Sequence, residues 1–394
     1  MRPQDFTALL TPAGQGLLDR LSREYDETGE LDELAVAARL RRDHDPGLVS
    51  AALTQTALRR RAAAKFGADA AVMYFTPEAL EQATSGPVAA HRAARFRESG
   101  LSTVVDLGCG IGGDLIALAR TGITVTGMDR DPLRVMIARA NLAALGLPGE
   151  LRAGDVTETD VGGSDGFFLD PARRDERGRT LDPSAYTPPW SFAEDILRDG
   201  DGCVKTGPAV PRDAGPDGAE IEWVSLDGDL KEAAVWSPGL AAARRRATLL
   251  PGGHALTDEE DRVSPAGPVR PVLYEPDAAV IRAGLVGAVA ARVGGTLLDP
   301  HIAFVCADHP VTTPFARGYR VIEELPYREK ALRAALRARD VGPLTIKKRG
   351  VQVTPELLRR RLGLRGSRAA TLVLSRHGRR AVALLVEPLS IPAG

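Results

Sequence analysis

The residues whose types and spacing point most directly to chemistry are Asp106, Gly108, Gly110, Gly112 and Gly113. Val104-Val105-Asp106-Leu107 is an apolar run closed by a carboxylate, and three glycines then recur at alternate positions. Leu115-Ile116-Ala117-Leu118-Ala119 follows and reads as a helix. Glycine takes positive φ and lets a ligand approach without a Cβ in the way. A strand, glycine turn and helix in this order hold a nucleoside-bearing cofactor at the carboxyl end of a first strand. A dinucleotide site would read G-x-G-x-x-G, with a pyrophosphate at the helix N-terminus. Here the order is Asp-x-Gly-x-Gly-x-Gly-Gly, and the leading acid would repel a pyrophosphate but suits an ammonium or a hydroxyl.

Other acids end strands or turns downstream. Ile123 to Asp129 is a short β-branched strand whose final carboxylate lies 23 residues after Asp106. Asp131-Pro132 pairs a cap acceptor with a first-turn proline, and Leu133, Met136, Ile137 and Ala140 give the helix that follows its apolar face. Leu151 to Val156 places Asp155 after a third strand, and Gly166 to Leu169 is an apolar strand that stops at Asp170-Pro171. Each feature has a bland counterpart: a structural turn, a helix cap at Asp129, a solvated turn at Asp155, a strand end at Asp170. Four such features in one order, with strands and helices alternating between them, are hard to explain separately.

The elements around that core set the organisation. Residues 1–92 read as helical, with helical spacing over Glu33–Leu40 and Leu48–Phe66 and a cap-proline pair at Thr76-Pro77. Residues 93–270 read as the core, closed by strands over Ile221–Leu226 and Glu232–Trp236 with an Asp227-Gly228-Asp229 hairpin turn. Glycine and proline between Ser264 and Pro271 mark a linker. The last part alternates strand and helix. One helix carries Leu332, Ala335 and Leu336, a strand over Leu344–Ile346 runs into Lys347-Lys348-Arg349-Gly350, and Thr354-Pro355 opens a helix with Leu357, Leu358 and Leu362. A hairpin around His377-Gly378-Arg379-Arg380 closes the chain.

The chain of 394 residues suggests two to three domains, and its 44% hydrophobic and 26% charged content is that of a globular protein. No apolar run approaches the ~20 residues that span a bilayer, and the N-terminus lacks a signal-peptide core. Cys109, Cys203 and Cys306 lie far apart, and the six histidines show no paired ligand spacing. The expectation is a cytoplasmic protein with no membrane and no metal. From Phe315 to Arg380 eighteen Lys and Arg stand against five acids, a surplus of +13 in a chain of net charge −1, which leaves −14 for the rest. A basic module on an acidic core suggests an anionic polymer as partner. The alternative is a solvated surface paired with that core.

On the Asp106–Gly113 turn and the acids at 129, 155 and 170, the chain resembles the class I S-adenosylmethionine (AdoMet) methyltransferases. On Phe75–Thr84 (Phe-Thr-Pro-Glu-x-Leu-Glu-Gln-Ala-Thr), Asp170-Pro171-Ala172-Arg173-Arg174, Leu273–Asp277 (Leu-Tyr-Glu-Pro-Asp), Leu344–Gly350 and Thr354–Leu362 it resembles the bacterial members with a C-terminal THUMP-like domain. The resemblance runs from Tyr74 to Pro388. It implies an α/β protein: a Rossmann-like, seven-stranded class I methyltransferase core, with an N-terminal helical domain and a C-terminal α+β THUMP-like domain. A small ferredoxin-like segment at 271–313 would precede a basic THUMP-like domain at 314–390. Family members resemble rRNA or tRNA methyltransferases.

The resemblance also implies roles. Asp106, Gly108 and Gly110 would bind the methionine end of AdoMet, Asp129 the ribose hydroxyls, and Asp155 with the Val156 amide the adenine. Asp170 and the Pro171 carbonyl stand where enzymes with an (Asn/Asp)-Pro-Pro-(Tyr/Phe) loop methylate exocyclic amines. Two acceptors there would orient an amine and draw off developing positive charge. The chain departs from that loop, with Ala172 for the second proline and Arg173 for the aromatic. Tyr186 or Trp190 could supply a stacking ring. Arg173 and Arg174 could hold a phosphate, stack on a base, or pair with Asp175 or Glu176. Lys347, Lys348 and Arg349 are the RNA-side candidates. Carbon methylation would need a thiolate nucleophile; Cys109 faces the cofactor turn and Cys203 ends a buried strand, so nitrogen is the expected acceptor. The alternatives are an AdoMet-binding, RNA-reading protein without turnover, and a methyltransferase for a protein or small molecule.

Overall fold

The computed structural model describes residues 1–159, 163–172, 174, 175, 178, 179 and 186–389. Contacts divide the chain into two compact units. The first holds residues 1–206, 215–219 and 235–241; the second holds 207–214, 220–234 and 242–394.

The first unit begins with helices α1 (Pro3–Leu9), α2 (Pro12–Thr28), α3 (Glu33–Leu40), α4 (Pro46–Phe66), α5 (Pro77–Gln82) and α6 (Gly86–Glu98). Proline sits in the first turn of five of these six, where its missing N–H costs nothing. Thr11, Asp45 and Thr76 supply cap oxygens for α2, α4 and α5. Phe6, Leu9, Leu18, Leu21 and Val49 make the core between them.

Strands and helices then alternate: β1 (Thr103–Leu107), α7 (Gly113–Arg120), β2 (Thr124–Asp129), α8 (Pro132–Ala144), β3 (Glu150–Ala153) and β4 (Gly166–Leu169). A short hairpin, β5 (Arg174–Asp175) with β6 (Gly178–Arg179), precedes α9 (Trp190–Asp199) and β7 (Gly202–Thr206). The strand order in this unit is β7-β4-β1-β2-β3, and its four pairings are all parallel. The order turns back at β1, whose neighbours are β2 on one side and β4 on the other. Ligands of open parallel sheets bind at the carboxyl ends of the strands at such a switch point.

In the second unit, β8 (Glu220–Leu226) and β9 (Asp229–Trp236, which passes into the first unit at Val235) form the expected hairpin. Its turn has Asp227 at φ 55° and Gly228 at φ 81°, the two left-handed residues a type I′ turn requires. β10 (Arg245–Leu250) runs parallel to β8, and β11 (His254–Thr257) lies antiparallel to β10. β10 and β11 thus continue the second unit's strands past the hairpin expected to be the last pair.

A second sheet has the order β13-β14-β12-β15-β18-β17-β16. Its strands are β12 (Val272–Pro276), β13 (Thr296–Asp299), β14 (Ile302–Ala307), β15 (Ala316–Leu325), β16 (Val341–Lys348), β17 (Arg368–His377) and β18 (Arg380–Pro388). Helices α10 (Ala278–Ala283), α11 (Val286–Arg292), α12 (Glu329–Arg337) and α13 (Pro355–Leu362) connect them. β12 pairs antiparallel with β15 from Val272↔Arg320 to Pro276↔Ala316, so the 271–313 segment and the 314–390 segment share one sheet. One core cluster mixes Leu273, Phe304 and Cys306 with Tyr319, Val373 and Leu384. No helix among the described residues is long and apolar enough to cross a membrane.

Candidate active site

The carboxyl edge of the first unit's sheet gathers Asp106, Asp129, Asp170 and Lys205. Asp106 is 1% exposed, and among the described residues neither carboxylate oxygen has a hydrogen-bond partner. Burial pushes its carboxyl well above the usual range, Asp114, Asp170 and Asp129 push it further, and Arg92 opposes them. Arg92, on α6, is itself buried, ion-pairs with Asp114 at the start of α7, and lies 4.4 Å from the Phe168 ring. A buried, unpaired carboxyl is costly in a folded chain. It is suited to receive a cation or a hydroxyl from outside the protein.

The turn after β1 is held by the end of β2. The Gly108 and Cys109 amides donate to the Met128 carbonyl at 2.8 and 2.9 Å. The Gly110 amide donates to Asp129 Oδ2 at 3.0 Å, and the Asp131 amide donates to Asp129 Oδ1 at 2.9 Å. Each Asp129 oxygen keeps a further lone pair. Gly108 takes φ 92°, a conformation that favours glycine, and a Cβ there would stand 3.4 Å from the Asp170 carbonyl, in van der Waals contact with the Asp-Pro segment. At Gly110 (φ 56°) a Cβ would meet nothing within 4 Å.

Two buried amides, Gln55 on α4 and Asn141 on α8, hold the chain at Tyr74-Phe75. Gln55 accepts from the Phe75 amide at 3.0 Å and donates to the Phe75 carbonyl at 2.5 Å. Asn141, on α8, accepts from the Tyr74 amide at 2.6 Å and donates to the Tyr74 carbonyl at 3.1 Å and to the Ile111 carbonyl of the glycine turn at 2.9 Å. Tyr74, just before the Phe75–Thr84 segment, is therefore tied through Asn141 to the glycine turn, and Phe75 is tied to α4.

Asp170 follows β4 directly. Its Oδ2 lies 2.7 Å from Lys205 Nζ, and Lys205 also donates to Thr84 Oγ1 at 3.0 Å. Lys205 is not among the residues singled out from the sequence. The only signal for it was an ionisable residue at the end of an apolar strand. Ala172 exchanges two backbone hydrogen bonds with Thr187, at 2.8 and 2.9 Å. Tyr186 is buried and meets the Trp190 ring edge-on at 6.5 Å. Arg173 lies outside the described residues, and so does the side chain of Arg174.

Asp155 is exposed, and its Oδ1 accepts from the Thr157 amide at 2.9 Å and the Thr157 hydroxyl at 2.7 Å, capping a short 3-10 turn that begins at Val156. The Thr157 amide, then its hydroxyl, hold the Asp155 carboxyl below the usual range. Cys109 and Cys203 are both buried, and burial, then Asp106, push the Cys109 thiol well up, away from the thiolate form. No cluster of three or more His, Cys, Asp or Glu among the described residues is arranged to hold a metal ion.

The basic candidates belong to the second unit. Lys347 Nζ is 2.6 Å and Arg349 4.0 Å from the Glu275 carboxylate, on opposite oxygens, and Lys348 between them is exposed. Burial pushes Lys347 down, and Glu275 more than offsets it, leaving the ammonium above its ordinary value. Glu275 belongs to the Leu273–Asp277 motif. Asp277 of the same motif caps α10 and accepts from the Ser225 hydroxyl at 2.5 Å.

Comparison with known proteins bears on this arrangement. A methyltransferase-domain model matches residues 104–168, a THUMP-domain-like model matches 316–388, and a domain of unknown function matches 2–62. An uncharacterized S-adenosylmethionine-dependent methyltransferase of Mycobacterium tuberculosis (strain H37Rv) is 40% identical over 346 residues, covering 85% of this chain and 94% of the relative. Its counterpart in strain CDC 1551 matches equally. A crystal structure described as that of a putative methyltransferase from Porphyromonas gingivalis W83 superposes with a TM-score of 0.76 at 21% identity, over 95% of this chain and 99% of that one, and so has the same fold. The chain belongs to the S-adenosylmethionine-dependent methyltransferases that carry a C-terminal THUMP-like domain.

Proposed function

We propose that the protein methylates a base nitrogen of rRNA or tRNA, gripping the RNA with its THUMP-like domain. The observation that carries this reading is the Asp170 carboxylate at the carboxyl edge of the sheet, one glycine turn from a buried, unpaired Asp106. Both groups fit AdoMet chemistry. Asp106, Gly108 and Gly110 would hold the methionine end, since an ammonium suits an orphaned carboxyl and an open glycine turn. Asp129 would take the ribose hydroxyls on its remaining lone pairs. Asp155, through Oδ2, and the Val156 amide would meet the adenine.

Bound AdoMet supplies an activated methyl, so the protein's main task is orientation. Asp170 Oδ1 and the Pro171 carbonyl would accept hydrogen bonds from an exocyclic amine, favour the charge that develops on its nitrogen, and receive the proton it sheds on the way to solvent. The buried thiols of Cys109 and Cys203 favour nitrogen over carbon as the acceptor. Arg173 and Arg174 would face phosphate or base. Lys348 would meet the RNA backbone directly, with Lys347 and Arg349 behind it at Glu275. We place the helical domain at 1–92, the core at 93–270, the ferredoxin-like segment at 271–313 and the THUMP-like domain at 314–390, in a cytoplasmic protein.

The test is incubation with methyl-labelled AdoMet and total RNA from cells lacking the protein, followed by mapping of the labelled nucleoside. Label in one nucleoside of one RNA species is expected. No label in any RNA fraction, with AdoMet bound, overturns the RNA reading; label in a protein or small-molecule fraction would replace it.

A further inference from the structure

We propose that Lys205, with Thr84, is the positioning residue for the Asp170 carboxylate. The inference rests on the reading of Asp170 as the acceptor-side group. β4 and β7 run parallel with Leu169 opposite Val204, so Asp170, just past the end of β4, stands beside Lys205, which is still within β7. The Lys205 side chain is 7% exposed and the Asp170 side chain 27%. An ammonium this buried needs partners. It has Asp170 Oδ2 at 2.7 Å and Thr84 Oγ1 at 3.0 Å.

The arrangement is directional. Lys205 takes Oδ2, and among the described residues no side chain takes Oδ1, which leaves that oxygen for an amine. Thr84 ends the segment that Gln55 and Asn141 latch to the fold, so the ammonium is fixed from two elements and the carboxylate cannot turn without losing a charge-assisted bond. Lys65 braces the same segment by donating to the carbonyls of Leu80, Glu81 and Ala83 at 2.7, 2.9 and 3.0 Å. Lys205 thus acts on the acceptor through Asp170 and makes no contact with it.

The experiment compares Lys205→Met, Thr84→Val, Thr84→Ser and Asp170→Asn, alone and with Lys205→Met combined with Asp170→Asn. Methyl transfer to total RNA from cells lacking the protein is measured, with AdoMet binding by calorimetry and folding by thermal unfolding. Lys205→Met is expected to lower kcat by about ten- to a hundredfold, the scale of a misplaced reacting group, with the Kd for AdoMet within about twofold. Thr84→Val should lose less and Thr84→Ser should behave as wild type. The double variant should be no slower than Asp170→Asn, because groups acting as a unit are not additive.

Wild-type kcat in Lys205→Met beside an inactive Asp170→Asn overturns the inference and leaves the Asp170 reading standing. Full activity in Asp170→Asn overturns the Asp170 reading itself. If wild type labels no RNA, crystal structures of wild type and Lys205→Met decide the matter: an Asp170 carboxylate unmoved in the variant overturns positioning by Lys205.

Discussion

Asp106 and Lys347 are both ionisable residues at the carboxyl-terminal end of a strand, and the protein treats them oppositely. Asp106 is buried at the end of β1 with neither oxygen partnered among the described residues. Lys347, near the end of β16, is half-buried against Glu275 at 2.6 Å, and the residue that faces water beside it is Lys348. The first charge is kept from its counter-charges within the fold, although Arg92 is close enough to influence it. The second is already neutralised. In the sheet edge, incomplete satisfaction marks where a ligand's groups complete the hydrogen bonding. In the THUMP-like domain, recognition of an anionic polymer falls to exposed and unpaired cations, because long-range attraction comes from net charge and not from ion pairs.

The sharpest way to break this contrast is at the acid-rich edge. Asp170→Asn should slow methyl transfer by about a hundredfold or more, as removal of a group that stabilises transition-state charge does, while AdoMet still binds. An unchanged rate would mean that the edge binds cofactor only.

Asp106→Asn should come next, weakening AdoMet binding by roughly ten- to a hundredfold through the loss of one charge-assisted bond. The same change should stabilise the protein without cofactor. A native carboxyl held above its unfolded value retains a proton that the unfolded chain has released. Stability therefore falls as pH rises from the ordinary carboxylate range through the raised value. The variant lacks that penalty, so its advantage in thermal midpoint should be larger at pH 8 than at pH 5. A midpoint below wild type at both values would show that Asp106 is satisfied in the folded chain.

Smaller effects belong to the basic side. Lys348→Ala should weaken RNA binding a few-fold and lower the salt dependence by about one charge. Lys347→Ala should do less to RNA binding and cost within about 1 kcal/mol of stability, the scale of a partly exposed ion pair. Equal effects of the two on the salt slope would show that Glu275 does not neutralise Lys347.

Much of the core was legible because its signals are local. The glycine turn, the acid that ends β2, the Asp131-Pro132 helix start and the Asp227-Gly228 hairpin each declare themselves within a few residues, by backbone requirements that only certain side chains meet. What sequence could not give is pairing at a distance. Lys205 becomes significant only when β7 lies beside β4. Asn141 reads as one polar residue in an apolar helix until Tyr74 is 67 residues away in sequence and in contact. Asp155 shows the converse: its local bonding to Thr157 was foreseeable as a turn, and the resemblance alone assigns it to adenine. The Leu273–Asp277 motif is likewise structural in its visible bonds, since Glu275 pairs with Lys347 and lies near Arg349 and Asp277 caps a helix.

The amide of Asn141 has a consequence for where this chain can be cut. Three backbone groups depend on it, two at Tyr74 and one at Ile111. A chain trimmed to begin at residue 93, where the alternation of strand and helix starts, would leave that amide holding the glycine turn by a single bond, with its other two bonds lost in a buried place. The helical region is thus a bearing on which the cofactor turn is seated, and the smallest working catalytic piece begins before Tyr74.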